Sequence, residues 1–68
     1  MAKCFIKDIQ PFLKKGWVAM DKNGTWNWFA RKPDRSIRFW FPMNKNWTSL
    51  KAFNIEPADD WKTSLMEV

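Results

Sequence analysis

The sequence predicts an α+β fold: a small antiparallel β-meander of three or four strands, with short N-terminal and C-terminal helical segments. Three observations predict it. Residues 16–41, GWVAMDKNGTWNWFARKPDRSIRFWF, hold three runs rich in aromatic and branched residues separated by two turn signals. Gly24 and Pro33 stand where those turns need them. Outside this stretch, apolar residues recur at helical spacing near the two ends of the chain.

The first element is residues 4–15, CFIKDIQPFLKK. Asp8 suits a helix cap, Pro11 is tolerated in the first turn, Lys14 and Lys15 suit the last turn, and Gly16 closes it. Phe5, Ile9, Phe12 and Leu13 then share a face that should lie on the sheet. An edge strand at 4–7 is the alternative.

The first hairpin turns at Asp21-Lys22-Asn23-Gly24-Thr25, with Gly24 as the left-handed bulge residue. That geometry pairs Met20 with Trp26 and Val18 with Trp28 on one face. The other face receives Asp21 with Thr25, Ala19 with Asn27 and Trp17 with Phe29. A tighter Asn23-Gly24 turn would slip the register by one and set Asp21 against Trp26. Such a slip sends every side chain to the wrong face, so the bulged turn is expected.

Lys32-Pro33-Asp34-Arg35 forms the second turn, with Pro33 at the position that suits its fixed backbone angle. The third strand should run from Ser36 to Phe41. In it Ile37, Phe39 and Phe41 face one way, and Arg38 and Trp40 the other. Pro42 ends it. Residues 43–46 read as a turn, while 47–53 (WTSLKAF) suit either a helical turn or a fourth short strand. Pro57 breaks the chain. Asp59 or Asp60 can then cap a short helix through Met66, with Trp61 and Leu65 packed inward. Both sheet faces carry aromatics, so the second must be covered by a flanking segment or left as a contact surface.

Sixty-eight residues make a single small domain, 1–68, with the meander at 16–41 and flanking segments at 4–15 and 43–66. Six Trp and six Phe supply an unusually large core for this length. Cys4 is the only cysteine, so no disulfide closes within the chain. There is no signal-like apolar run and no stretch long enough for a membrane span. The expected setting is cytoplasmic. Charge is uneven: residues 1–55 hold eleven Lys/Arg against three Asp, whereas Glu56, Asp59, Asp60 and Glu67 make the tail acidic. A basic body favours acidic protein, phosphate or anionic lipid partners.

Catalysis is not expected. Histidine is absent, and with it the commonest general base. Cys4 sits beside Phe5 and Ile6, in the setting of an inert thiol. Asp59 and Asp60 are adjacent and do not face one another on a helix. Glu56 with that pair lacks the loop spacing of a cation site, zinc ligands are missing, and two glycines cannot build a phosphate loop. No cofactor and no metal is expected.

Binding is the better expectation. Arg31, Lys32, Arg35 and Arg38, with Asn27, Phe29 and Trp40, would form a basic, aromatic sheet face. Trp and Arg dominate protein interfaces, so a protein partner is favoured. Single-stranded nucleic acid, stacked on the aromatics and paired through its phosphates, is the alternative. Monomer and homodimer both remain open.

Trp17-Val18-Ala19-Met20-Asp21 with Gly24, the turn at Pro33, and Asp60-Trp61-Lys62-Thr63-Ser64-Leu65 carry a resemblance. The pattern resembles short phage and prophage proteins of unknown function, with a WVAxDxxG hairpin, a KP turn and a closing DWKxSL motif. Thr63 stands where that pattern more often has an acidic residue. The resemblance spans most of residues 17–65 and implies a phage or prophage origin and a cytoplasmic setting. It supplies no activity and no site residues.

Overall fold

The computed structural model describes residues 3–68, so the expected domain of 1–68 includes two residues outside the description. Its centre is the first hairpin, β1 (Trp17–Met20) and β2 (Trp26–Phe29). The two strands pair Trp17 with Phe29, Val18 with Trp28, Ala19 with Asn27 and Met20 with Trp26. This is the register of the bulged turn. Gly24 adopts φ +89°, a conformation open to glycine at little cost. The Asp21 N–H donates to Thr25 O at 2.9 Å, and the Asn23 side chain accepts from Thr25 N–H at 3.0 Å.

The third strand is not where the sequence places it. Residues 34–41 leave the plane of the sheet as a separate hairpin, β3 (Asp34–Arg35) against β4 (Trp40–Phe41). Its loop is closed by Ser36 N–H donating to Phe39 O at 2.7 Å. The neighbour of β2 is β5 (Trp47–Ser49), which answers the open question at 47–53 in favour of strand. The far neighbour of β1 is β6 (Met66–Glu67), giving the order β5-β2-β1-β6. There are thus six short strands in two antiparallel sheets, not three or four in one.

The physical reason lies in the two aromatic faces. One face, with Val18, Met20 and Trp26, is covered by Ile9 from the N-terminal segment and by Leu50 and Ile55. A third strand beside β2 would lie in the sheet and cover nothing. Folded back, the 34–41 hairpin brings Trp40 over Ala19 and Phe29, with Trp61 and Leu65 completing a second cluster. The sheet becomes the middle of three layers, apolar on both sides.

The flanking segments are also shorter than expected. The N-terminal helix α1 is only Ile6–Ile9, and a 3₁₀ turn, Gln10–Phe12, replaces its continuation. Pro11 has no N–H to extend the helix. Asp8 is the third residue of α1, and its carboxylate reaches back to accept from Phe5 N–H at 2.9 Å. Ile6, Ile9 and Leu13 turn inward, whereas Phe5 and Phe12, expected on the sheet, are exposed. Cys4 makes a single parallel bridge to Ile55, the remnant of the edge-strand alternative. At the other end, Asp60 caps a 3₁₀ turn at Trp61–Thr63, and the expected helix through Met66 gives way to β6. No helix among the described residues is long and apolar enough to cross a membrane.

Candidate functional site

Two small polar knots fix the second cluster and so decide what the surface offers. The first is Asp21, at the end of β1. Its Oδ1 accepts from Trp40 N–H at 2.8 Å and its Oδ2 from the Asn27 amide at 3.1 Å. Lys22 N–H donates to Arg38 O at 3.2 Å beside it. Burial pushes the Asp21 carboxyl above its ordinary value, against the lowering effect of the Trp40 and Asn27 hydrogen bonds. The second is Ser64, which accepts from Met20 N–H at 2.8 Å and donates to Trp61 O at 2.7 Å. It stands in for a strand partner where β6 no longer reaches β1.

These knots sort the seven candidate contact residues into two groups. Asn27, Phe29 and Trp40 are interior: Phe29 is 2% exposed, Trp40 7%, and the Trp40 Nε1–H donates to Trp61 O at 3.1 Å. In this fold they hold the molecule together and present no face to a partner. Arg31, Lys32, Arg35 and Arg38 are exposed. Lys32 places its ammonium 5.6 Å from the centroid of the Trp17 ring, a cation–π contact that covers this half-buried indole.

What the 34–41 hairpin and the chain after it present is a different set of apolar side chains. Ile37 is 86% exposed and Phe41 55%, with Phe39, Met43 and Trp47 also exposed. The Phe39 and Phe41 rings lie 6.2 Å apart, and Phe39, Pro42 and Trp47 rim a small cavity of about 210 Å³ that opens over Phe29 and Trp40. Of the strand expected over 36–41 only Trp40 and Phe41 are strand, and their sense is inverted: Trp40 goes in and Phe41 out, while Ile37, Arg38 and Phe39 lie exposed in the hairpin loop. Long-range contacts hold that sense, the bonds from Trp40 N–H to Asp21 and from its Nε1–H to Trp61 O among them, and local sequence carries no trace of them.

A second concavity, of about 580 Å³, lies at the β5 edge over Trp28, between Phe12 and Thr48, with Lys14 and Lys45 at its margin. The Trp28 Nε1–H donates to Lys14 O at 3.0 Å, which fixes the floor of this groove. Cys4, half-buried, has its thiol 3.4 Å from Asn54 O. Among the described residues no group of three or more Asp, Glu, Cys or His is placed to hold a metal ion. No protein-family model, no curated protein and no solved structure matches the chain.

Proposed function

We propose that this is a small non-enzymatic binding protein whose docking surface is the outer side of the 34–41 hairpin and the chain that follows it. The observation that carries the reading is the run of exposed apolar residues along this hairpin and the chain after it, Ile37, Phe39, Phe41, Met43 and Trp47, in which the Phe39 and Phe41 rings lie 6.2 Å apart and Phe39 and Trp47 line one cavity. Exposed apolar patches of this kind mark interaction sites. Arg31, Lys32, Arg35 and Arg38 border the cluster in sequence and are exposed with it, opposed there only by Asp34. An apolar centre with arginine at its rim matches the anatomy of protein interfaces.

A protein partner is favoured over single-stranded nucleic acid by the side chains themselves. Ile37 and Met43 have no flat ring on which a base can stack, yet they stand among the most exposed residues of the cluster. The resemblance of the WVAxDxxG hairpin and the DWKxSL ending to phage and prophage proteins makes a phage or host protein, met in the cytoplasm, the expected partner.

A photo-reactive amino acid in place of Phe41, and a second placed at Glu67 on the opposite sheet edge, tests this in cell extract. The reading expects a discrete protein adduct from position 41 and none from 67. Adducts of equal yield from both positions would defeat it. Adducts with RNA or single-stranded DNA, weakening steeply with salt, would transfer the surface to the nucleic-acid reading.

A further inference from the structure

We propose that the partner's contact segment is an extended, acidic strand that adds to the free edge of β5. Its side chains would alternate between the Trp47 patch on one face of the sheet and the lysine-flanked groove on the other. This rests on the protein-binding reading above and specifies its mode and the chemistry of the partner.

The edge comes first. Ala30 N–H donates to Asn46 O and Leu50 N–H to Trp26 O, each at 2.9 Å, so the even-numbered residues of this segment turn their backbone groups toward β2. By alternation the Trp47 carbonyl and both backbone groups of Ser49 turn away from the sheet. The Trp47 N–H is occupied by Lys45 O at 3.1 Å, and the Ser49 hydroxyl accepts from Lys51 N–H at 3.2 Å. Among the described residues nothing of the chain's own backbone meets the Ser49 N–H. All three residues of β5 are exposed. An open row of this kind is a template for another strand, and strand addition is a recurring way of holding an extended peptide.

The two flanks of that edge differ in chemistry. Trp47 pairs with Phe29, so its side chain lies on the face where it, Phe39 and Pro42 rim one cavity: an apolar rim, with Asp21 and Asn27 lining the cavity beneath it. Thr48 pairs with Trp28 and borders the groove, where Phe12 and Trp28 are flanked by Lys14 and Lys45 and no carboxylate lines the space. Successive side chains of an added strand point to opposite faces. The fitting occupant therefore has apolar residues at every second position and Asp or Glu between them. Glutamate suits the groove well, its methylenes over the Trp28 floor and its carboxylate within reach of the lysines. Three backbone groups alone make a weak clamp, so the alternating side chains must supply the selectivity.

The test uses the full chain and three fluorescein-labelled eight-residue peptides. One alternates valine and glutamate, one alternates valine and lysine, and one carries valine and glutamate in two blocks. Anisotropy reads affinity, and amide hydrogen exchange reads the Ser49 N–H directly. The alternating acidic peptide should bind best and slow Ser49 exchange by about tenfold or more at saturation. Ser49→Pro removes the edge donor where proline is tolerated, and with K14E/K45E it should weaken binding by about tenfold or more. Unchanged Ser49 exchange at saturation, or equal binding of the block or lysine peptide, overturns strand addition. If position 41 still captures a protein whose complex leaves Ser49 unprotected, the docking reading survives and the strand mode alone falls. If position 41 captures nothing, the docking reading falls first.

Discussion

Asp21 is the residue on which the surface depends, because its carboxylate is what holds Trp40 in place. Asp21→Ala leaves the Trp40 N–H and the Asn27 amide without their acceptor, which should cost about 1–3 kcal/mol in urea denaturation. Burial raises the folded carboxyl above its ordinary 3.8. A raised acid stabilises the fold while protonated. Its contribution is complete below the ordinary value and is lost as pH rises through the raised one. Asp21→Asn carries no such proton, so its stability relative to wild type should climb as pH rises through that window. A constant difference across the window would contradict the assignment. The two glycines matter for different reasons. A Cβ on Gly16 would sit 2.5 Å from Phe29 O and 2.9 Å from Trp28 Nε1, so Gly16→Ala forces β2 to move, at about 1–3 kcal/mol. Gly24→Ala meets no atom within 4 Å but must hold φ +89°, at about 1–2 kcal/mol of backbone strain. Both are checked by the urea midpoint.

Among the elements, the 34–41 hairpin shows how much was legible and where legibility stopped. The first hairpin could be read to the residue, because its turn chemistry and its two-residue alternation are both local. The second turn lies later than Lys32–Arg35, where the sequence puts it: Pro33 is buried as the chain enters β3, Asp34 and Arg35 are strand, and the chain reverses at 36–39. What sequence could not show is that the strand after it folds over the sheet instead of joining it. That choice is made by Ala19, Phe29 and Asp21, which are distant in sequence and need a lid. The strand beside β2 comes instead from Trp47–Ser49, three residues whose composition suits helix and strand alike. Trp40→Ala should cost about 3–5 kcal/mol, enough to detach the hairpin and flatten the near-ultraviolet circular dichroism. Phe41→Ser, on the outer side, should stay within about 0.5 kcal/mol of wild type. A Phe41→Ser loss as large as that of Trp40→Ala would reverse the assignment of inside and outside.

At the scale of the whole molecule, the recognisable motifs turn out to be fold residues. Asp60 caps the last 3₁₀ turn, Trp61 meets Trp40 edge to face at 6.4 Å, and Ser64 ties that turn to Met20. Leu65 closes the second cluster. The DWKxSL ending is thus the lower half of a clamp, and the WVAxDxxG hairpin, with Asp21, is the upper half. Of the expected contact face, the cations remain outside and the aromatics do not, because a sheet with two apolar faces uses its nearest tryptophan to cover one of them. The surface left over is set by the inversion of β4, and one measurement tests that directly. A proton nuclear Overhauser spectrum should show the Trp40 ring close to the Ala19 methyl and the Phe29 ring, with the Phe41 ring close to neither. Contacts from Phe41 to Ala19, with Trp40 free of both, would contradict the account and take the docking surface with it.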